Sequence, residues 1–314
     1  MAIKTIIATV QGQDIELTLN EATGYYEGTG TAGADSSFPQ SGGYFPVSVK
    51  ATDDSDLYAT ADSDDFETLR LFVYENKAPT IEIITPTSGA YITDTTKPDI
   101  QFKIVDNSVQ TSGYSGVNKD ETVLTVGGVQ VDSSLIEWED TDGGYIGTYT
   151  PETDLSDGEV TITVSGADND GNSAETASVT FKIDNLSPTL NVTSPANGLV
   201  TSQSEVVVAG TTSDTSTPIN VKITLNGNVQ FDEEVTGGTF SETINLVTEG
   251  DNVIVVTATD ATGKSTEQTI TVRYNTTAPV FEEVEIFYEG SQVSADNKVP
   301  AGGQYTIRCK VTTS

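Results

Sequence analysis

The sequence contains no histidine and a single cysteine, Cys309. The first absence removes catalytic schemes that rely on an imidazole, and together the two exclude zinc sites of the Cys/His kind. One cysteine cannot build a disulfide framework within the chain, so Cys309 reads as a small hydrophobe on a strand. Basic residues are scarce: 14 Lys+Arg stand against 47 Asp+Glu, a net charge of −33. That balance opposes unaided binding to nucleic-acid phosphates or an anionic membrane, which both need a positive patch. It keeps a long surface soluble and leaves carboxylates free to meet cations. No apolar run is long enough to span a membrane. The start, Met1-Ala2-Ile3-Lys4, enters a strand pattern without a basic segment and a long apolar stretch, so neither a signal peptide nor membrane insertion is expected. Helical periodicity is missing as well.

What is present is alternation with a period of two. Ile15, Leu17 and Leu19 alternate with polar neighbours, as do Ile100, Phe102 and Ile104, then Val179, Phe181 and Ile183, then Val221, Ile223 and Leu225. Each stretch predicts a strand with one buried face. Proline punctuates this pattern. Ala78-Pro79-Thr80-Ile81 recurs as Ser187-Pro188-Thr189-Leu190 and as Ala278-Pro279-Val280-Phe281. In the first two copies a second proline follows seven positions on, Pro86 and Pro195, and a glycine three after that, Gly89 and Gly198. Proline fixes φ, lacks an N–H and biases its predecessor toward extended backbone, so each copy marks the extended start of a module. The third copy breaks register, with Ile286 at the place of the second proline.

A second repeated element closes each module. It reads Val47-Ser48-Val49-Lys50-Ala51-Thr52-Asp53, then Ile162-Thr163-Val164-Ser165-Gly166-Ala167-Asp168, then Ile254-Val255-Val256-Thr257-Ala258-Thr259-Asp260. In the last two, Gly171 and Gly263 follow the aspartate by three residues, and one more strand completes a hairpin. Ala51, Gly166 and Ala258 share a slot where two sheets are expected to approach closely. These repeats predict an all-β chain of tandem immunoglobulin-like β-sandwiches, three modules plus a two-strand half-module at the C-terminus. The boundaries fall at 1–76 for a short leader module, 77–185 and 186–276 for two full modules, and 277–314 for a partial module or docking tail.

On the Pro79/Pro86/Gly89 opening and the Val256–Asp260/Gly263 closing, residues 77–276 resemble bacterial Ig-like domains. The whole arrangement also resembles Ig-domain tail proteins of Gram-positive prophages. That likeness is carried by Tyr44-Phe45-Pro46-Val47-Ser48-Val49-Lys50-Ala51-Thr52-Asp53-Asp54 and by Leu69-Arg70-Leu71-Phe72-Val73. The resemblance implies a non-enzymatic virion component, tail-associated, forming an acidic stalk. Its partners would be other virion proteins or itself, with cell-surface carbohydrate a further candidate. The alternative is a stalk or adhesin segment of a bacterial cell-surface protein that binds carbohydrate or a host ligand.

Three sets of residues invite chemistry. Asp168-Asn169-Asp170-Gly171-Asn172 places oxygen ligands at alternate positions with a glycine for the turn, as in the first half of a calcium loop, but no closing acidic residue stands at the distance an EF-hand needs. In an Ig topology Asp168 and Asp170 would lie at the same pole as Asp106 and Glu75, and Asp260 at the same pole as Asp214 and Asp184. Two readings stay open there: calcium at the domain junctions, or aspartates that only hydrogen-bond their own turns. No other cofactor is expected. Glu137, Trp138 and Glu139 juxtapose acids and an aromatic, but alternation sends the two glutamates to one face and the tryptophan to the other, so Trp138 is expected in the core and no catalytic residue is assigned. Tyr25, Tyr26, Phe38, Tyr44 and Phe45 are expected to build the leader's core, with a docking patch as the alternative. In the tail, the edges around Phe281, Ile286, Tyr305 and Ile307 are expected to accept a partner.

Overall fold

A computed structural model describes residues 2–106, 113–294 and 298–312. The chain divides into two compact units, Met1–Asn185 and Leu186–Ser314. Among the described residues it is all-β, and its helical content is two single 3-10 turns, Ser41–Gly43 and Ser133–Leu135.

In the first unit, the leader is organised around a five-stranded sheet. Its order is Gln13–Glu16, Ile3–Val10, Phe45–Asp53, Tyr58–Ala61, with Arg70–Leu71 pairing the start of Phe45–Asp53. A separate hairpin pairs Thr18–Asn20 with Tyr25–Glu27. The aromatic residues do not form the expected leader core. Tyr25 is 72% exposed and Phe38 51%, while Tyr44 and Phe45 are half-buried. Tyr25 and Tyr26 are consecutive on one strand and point to opposite faces, so a single covering layer could not bury both. Tyr44 instead packs on Phe72, ring centroids 6.0 Å apart, with the Arg70 guanidinium over its face.

The rest of that unit is an immunoglobulin-like sandwich. One sheet runs Glu137–Thr141, Gly144–Tyr149, Ile100–Val105, Thr80–Thr85; the other runs Val129–Gln130, Val117–Val126, Gly158–Asp168, Ala177–Ile183, Tyr91–Ile92. The second unit repeats the plan. Thr189–Ser194, Glu205–Ser213 and Thr239–Asn245 form one sheet, and Leu199–Thr201, Ser265–Tyr274, Gly250–Thr259, Ile219–Leu225 and Asn228–Val235 the other. The proline–glycine signature has a structural meaning. Pro86 and Pro195 follow cis peptide bonds, and Gly89 and Gly198 hold φ of +75° and +82°. There the first strand leaves one sheet and re-enters the module in the other, as Tyr91–Ile92 and Leu199–Thr201, each running parallel to the last strand.

The alternation read from the sequence is the alternation of burial. Ile100, Phe102 and Ile104 are fully buried while Gln101, Lys103 and Val105 are not. Each such side chain contributes about 1.5–3 kcal/mol on burial. Gly166 lies where the sheets come close: a Cβ there would stand 2.8 Å from Ile104 Cδ1 of the opposite sheet. Trp138 is half-buried and meets Phe102 edge-on at 5.6 Å, while Glu137 and Glu139 face solvent.

One cross-strand pair differs between the sandwiches in an instructive way. Ile83 and Val192 each lie four residues after the module's opening proline. In the first sandwich Phe102, opposite Ile83, pairs with Gly147. In the second, Gly210, opposite Val192, pairs with Phe240. The same pair is thus filled by phenylalanine and glycine in exchanged positions. Each glycine makes room for the ring: a Cβ on Gly147 would lie 2.5 Å from Phe102 Cζ, and one on Gly210 would lie 2.6 Å from Phe240 Cζ. Gly147→Val or Gly210→Val should each destabilise its sandwich by about 1–3 kcal/mol. Exchanging the pair, Phe102→Gly with Gly147→Phe, should recover much of what the single changes lose. Calorimetric melting of the full chain checks both, and a double variant as unstable as the sum of its singles would refute the equivalence.

Candidate cation-binding site

The first sandwich brings three carboxylates to one pole. Asp106 directly follows the strand Ile100–Val105, and the strand Gly158–Asp168 ends at Asp168. Glu75 arrives on the segment joining the leader to Thr80–Thr85. One carboxylate oxygen from each of Glu75, Asp106 and Asp168 lies within 4.8 Å of the other two, and all three residues are buried.

Local turn chemistry fixes each of them. Asp168 Oδ1 accepts from Asn172 N at 2.8 Å and Oδ2 from Asn172 Nδ2 at 2.7 Å, closing the Asp168–Asn172 turn. Asp260 does the same in its own turn, its Oδ1 accepting from Thr262 N and Lys264 N. Turn capping therefore accounts for the repeated aspartate. It does not account for the company Asp168 keeps. Asp106 Oδ2 accepts from Gly116 N at 2.6 Å, while its Oδ1 is buried with no hydrogen-bond partner among the described residues. Glu75 Oε2 accepts from Lys77 N. Asn172 Nδ2 also reaches the Glu75 carbonyl oxygen at 3.2 Å and Oε1 at 3.3 Å.

Asp170, grouped with Asp106 and Asp168 on sequence grounds, turns elsewhere. Its Oδ2 accepts from Glu75 N at 2.9 Å, and its own N–H donates to Ser115 Oγ at 3.1 Å. It ties the leader's exit to the sandwich through backbone. Asn172 and the Gly116 N–H are the participants that sequence reasoning left out. Asn172 was visible only as the closing residue of the Asp-Asn-Asp-Gly-Asn run, and Gly116 carried no signal.

Crowding three acids out of water has an electrostatic cost. Glu75 is pushed up from 4.5 to about 7, first by burial, then by its hydrogen bond to Asp168 and repulsion from Asp106 and Asp168, against the Lys77 N–H. Burial also raises Asp106, helped by the charges of Asp168 and Asp170 and opposed by the Gly116 N–H.

The tail presents a different kind of surface. Val280–Tyr288 pairs with Tyr305–Thr312, and Ser291–Gln292 caps one end. A register shift between Phe281 and Glu283 places Phe281 opposite Val311, Val284 opposite Cys309, Ile286 opposite Ile307 and Tyr288 opposite Tyr305. All of these fall on one face by alternation. The other face carries Glu283 opposite Lys310 and Glu285 opposite Arg308. Phe281, Ile286, Tyr305 and Ile307 therefore share an apolar face, with Phe281 65% and Ile307 61% exposed.

The shift at Glu75 carries a sign. Between about pH 4.5 and 7 the folded protein binds more protons than the unfolded chain, so stability falls as pH rises through that window. In chelator-treated protein, Glu75→Gln should melt close to the parent at pH 5 and above it at pH 8. Differential scanning calorimetry at the two pH values reads the gap, and a gap independent of pH would contradict the assignment.

Residues 188–276 match the family described as glucodextranase, domain B. A search of curated proteins finds no match. Among solved structures the chain is similar to the fibronectin(III)-like modules of Clostridium thermocellum CbhA, at 15% identity over 62% of this chain and 94% of that one, TM-score 0.29. It is similar to a tetra-tandem repeat in the extending region of a large adhesion protein, at 16% identity over 98% and 79%, TM-score 0.38. It is also similar to a 1.5-MDa bacterial ice-binding adhesin, at 19% identity over 86% of each chain, TM-score 0.29. At these values the tandem Ig-like assignment rests on the strand order and register described above.

Proposed function

We propose that this chain is a non-enzymatic structural protein, an acidic stalk of Ig-like modules that serves as a tail-associated component of a phage virion. The observation that carries the structural role is the tail hairpin. In the two sandwiches the apolar faces are turned inward and covered, whereas the hairpin leaves Phe281, Val284, Ile286, Tyr305, Ile307 and Val311 exposed on one side. Exposed apolar surface of this kind marks a contact site. The hairpin is the docking end in this reading, taking a neighbouring virion protein or a second copy, by covering the face or adding a strand to an edge. The virion assignment draws on the resemblance of Tyr44–Asp54 and Leu69–Val73 to prophage tail proteins.

A second reading, a stalk of a bacterial cell-surface protein that binds carbohydrate, is favoured by one observation. Residues 188–276 match a module type named for a glucodextranase. Location separates the two. Immunogold labelling and immunoblots of purified particles and of cell-wall fractions should find the chain on particles; recovery in the wall fraction alone favours the surface reading.

The docking face makes its own prediction. Ile307→Asp together with Phe281→Asp should leave melting of the sandwich modules within about 0.5 kcal/mol of the parent, since neither residue belongs to their cores. The double variant should lose incorporation into particles by at least about tenfold, the loss expected when a contact of more than about 1.4 kcal/mol is removed. Incorporation at the parental level would rule the hairpin out as the docking end.

A further inference from the structure

We propose that Glu75, Asp106 and Asp168 bind a calcium ion that fastens the leader's exit to the first sandwich. The inference holds whichever particle or surface the chain belongs to, so its test is independent of the function proposed above.

Four observations lead there. The donors are all carboxylate oxygens, with no nitrogen or sulfur ligand among them, which selects a hard divalent cation. Their oxygens lie within 4.8 Å of one another, and ligands about 2.3–2.6 Å from a common calcium ion stand no more than about 5 Å apart. Asp106 is only 5% exposed, yet its Oδ1 has no hydrogen-bond partner among the described residues. An unpaired carboxylate oxygen at such depth is unfavourable unless something positive meets it. Finally, none of the three acids has an ion-pair partner among the described residues. The nearest ammonium in sequence, that of Lys77, sits over the Tyr114 ring at 5.3 Å and near its hydroxyl at 3.4 Å. A cation in the triplet supplies the missing charge.

Access and consequence follow from the surroundings. Asp106 also lines an open groove with Gly116, Asp140 and Tyr145, so one member of the triplet borders solvent. Glu75 already holds the sandwich through its N–H to Asp170 and its carbonyl to Asn172. Capture of its side chain by the same ion that binds Asp106 and Asp168 adds a third tie. It fixes the backbone just before Asn76-Lys77-Ala78-Pro79, where the leader meets the module.

The test is calorimetric titration of calcium chloride into the chelator-treated full chain, with magnesium chloride as comparator. The expected result is one saturable site with a dissociation constant between about 1 μM and 1 mM, tighter for calcium than for magnesium. Asp106→Asn should weaken calcium binding by at least about tenfold. It should also melt at or above the parent without calcium, since it removes one of three repelling charges, and lose the rise in melting temperature that calcium gives the parent. Glu75→Gln should repeat the loss of binding if Asp106→Asn fails to fold. Amide exchange at 75–78 should slow in the parent when calcium is added. The proposal is overturned by the absence of saturable heat up to about 10 mM calcium, about tenfold above the weak end of extracellular sites. It is equally overturned by undiminished binding in a folded Asp106→Asn variant, which would assign the heat to the general acidic surface.

Discussion

Two sheets pack at interior density only when each strand sends its large apolar side chains to one side and its polar ones to the other. That constraint decides the sandwiches of this chain, and it also places the acidic triplet. Ile100–Val105 and Gly158–Asp168 lie in opposite sheets, and both run toward the same pole. Once Ile100 and Phe102 meet Ile162 and Val164 in the core, Asp106 and Asp168 have no choice but to emerge together. The chemistry at the pole is thus an outcome of packing below it. The leader's Glu75 joins because its backbone is hydrogen-bonded to Asp170 and Asn172.

Charge on this protein works in two regimes. Most of the 47 acidic residues lie on solvated strand faces and loops, where water and salt screen them and their effect is collective. The few that are buried behave differently. Within the Glu75–Asp106–Asp168 group a carboxylate feels its neighbours at short range with little water between, and protonation becomes an alternative to ionisation near neutral pH. The net charge tells nothing of this second regime; it depends on which acids the fold removes from water.

Sequence reasoning captured the features that repeat. Alternation located the strands, the Pro86/Gly89 and Pro195/Gly198 spacing marked the openings of two like modules, where the structure shows the first strand changing sheet, and Gly166 marked a close approach that Ile104 makes visible. The approach of Asp106 to Asp168 was legible because an Ig topology fixes which strand ends share a pole. What escaped depends on coverage and register, neither of which composition records. The leader's aromatics looked like core material, but Tyr25 and Phe38 find no second layer to cover them. Strict alternation from Ile286 and Val284 puts Phe281 on the charged side of the hairpin; the bulge at Phe281/Glu283 returns it to the apolar side. Asp170 looked like a ligand beside Asp168, and only the turn's geometry shows it aimed at the Glu75 backbone.

The exchanged Phe102/Gly147 and Gly210/Phe240 pairs bear on how such arrays can change over generations. The two sandwiches share a fold and an opening signature, so an exchange of segments between them can be followed strand by strand. A crossover falling between the two strands of this pair would join Phe102 to Phe240, or Gly210 to Gly147. One product carries two rings in the space of one, and the other carries a void where a ring should stand. Viable exchange is therefore restricted to breakpoints outside the pair, such as the proline linkers, and the module, not the strand, is the unit that can be shuffled.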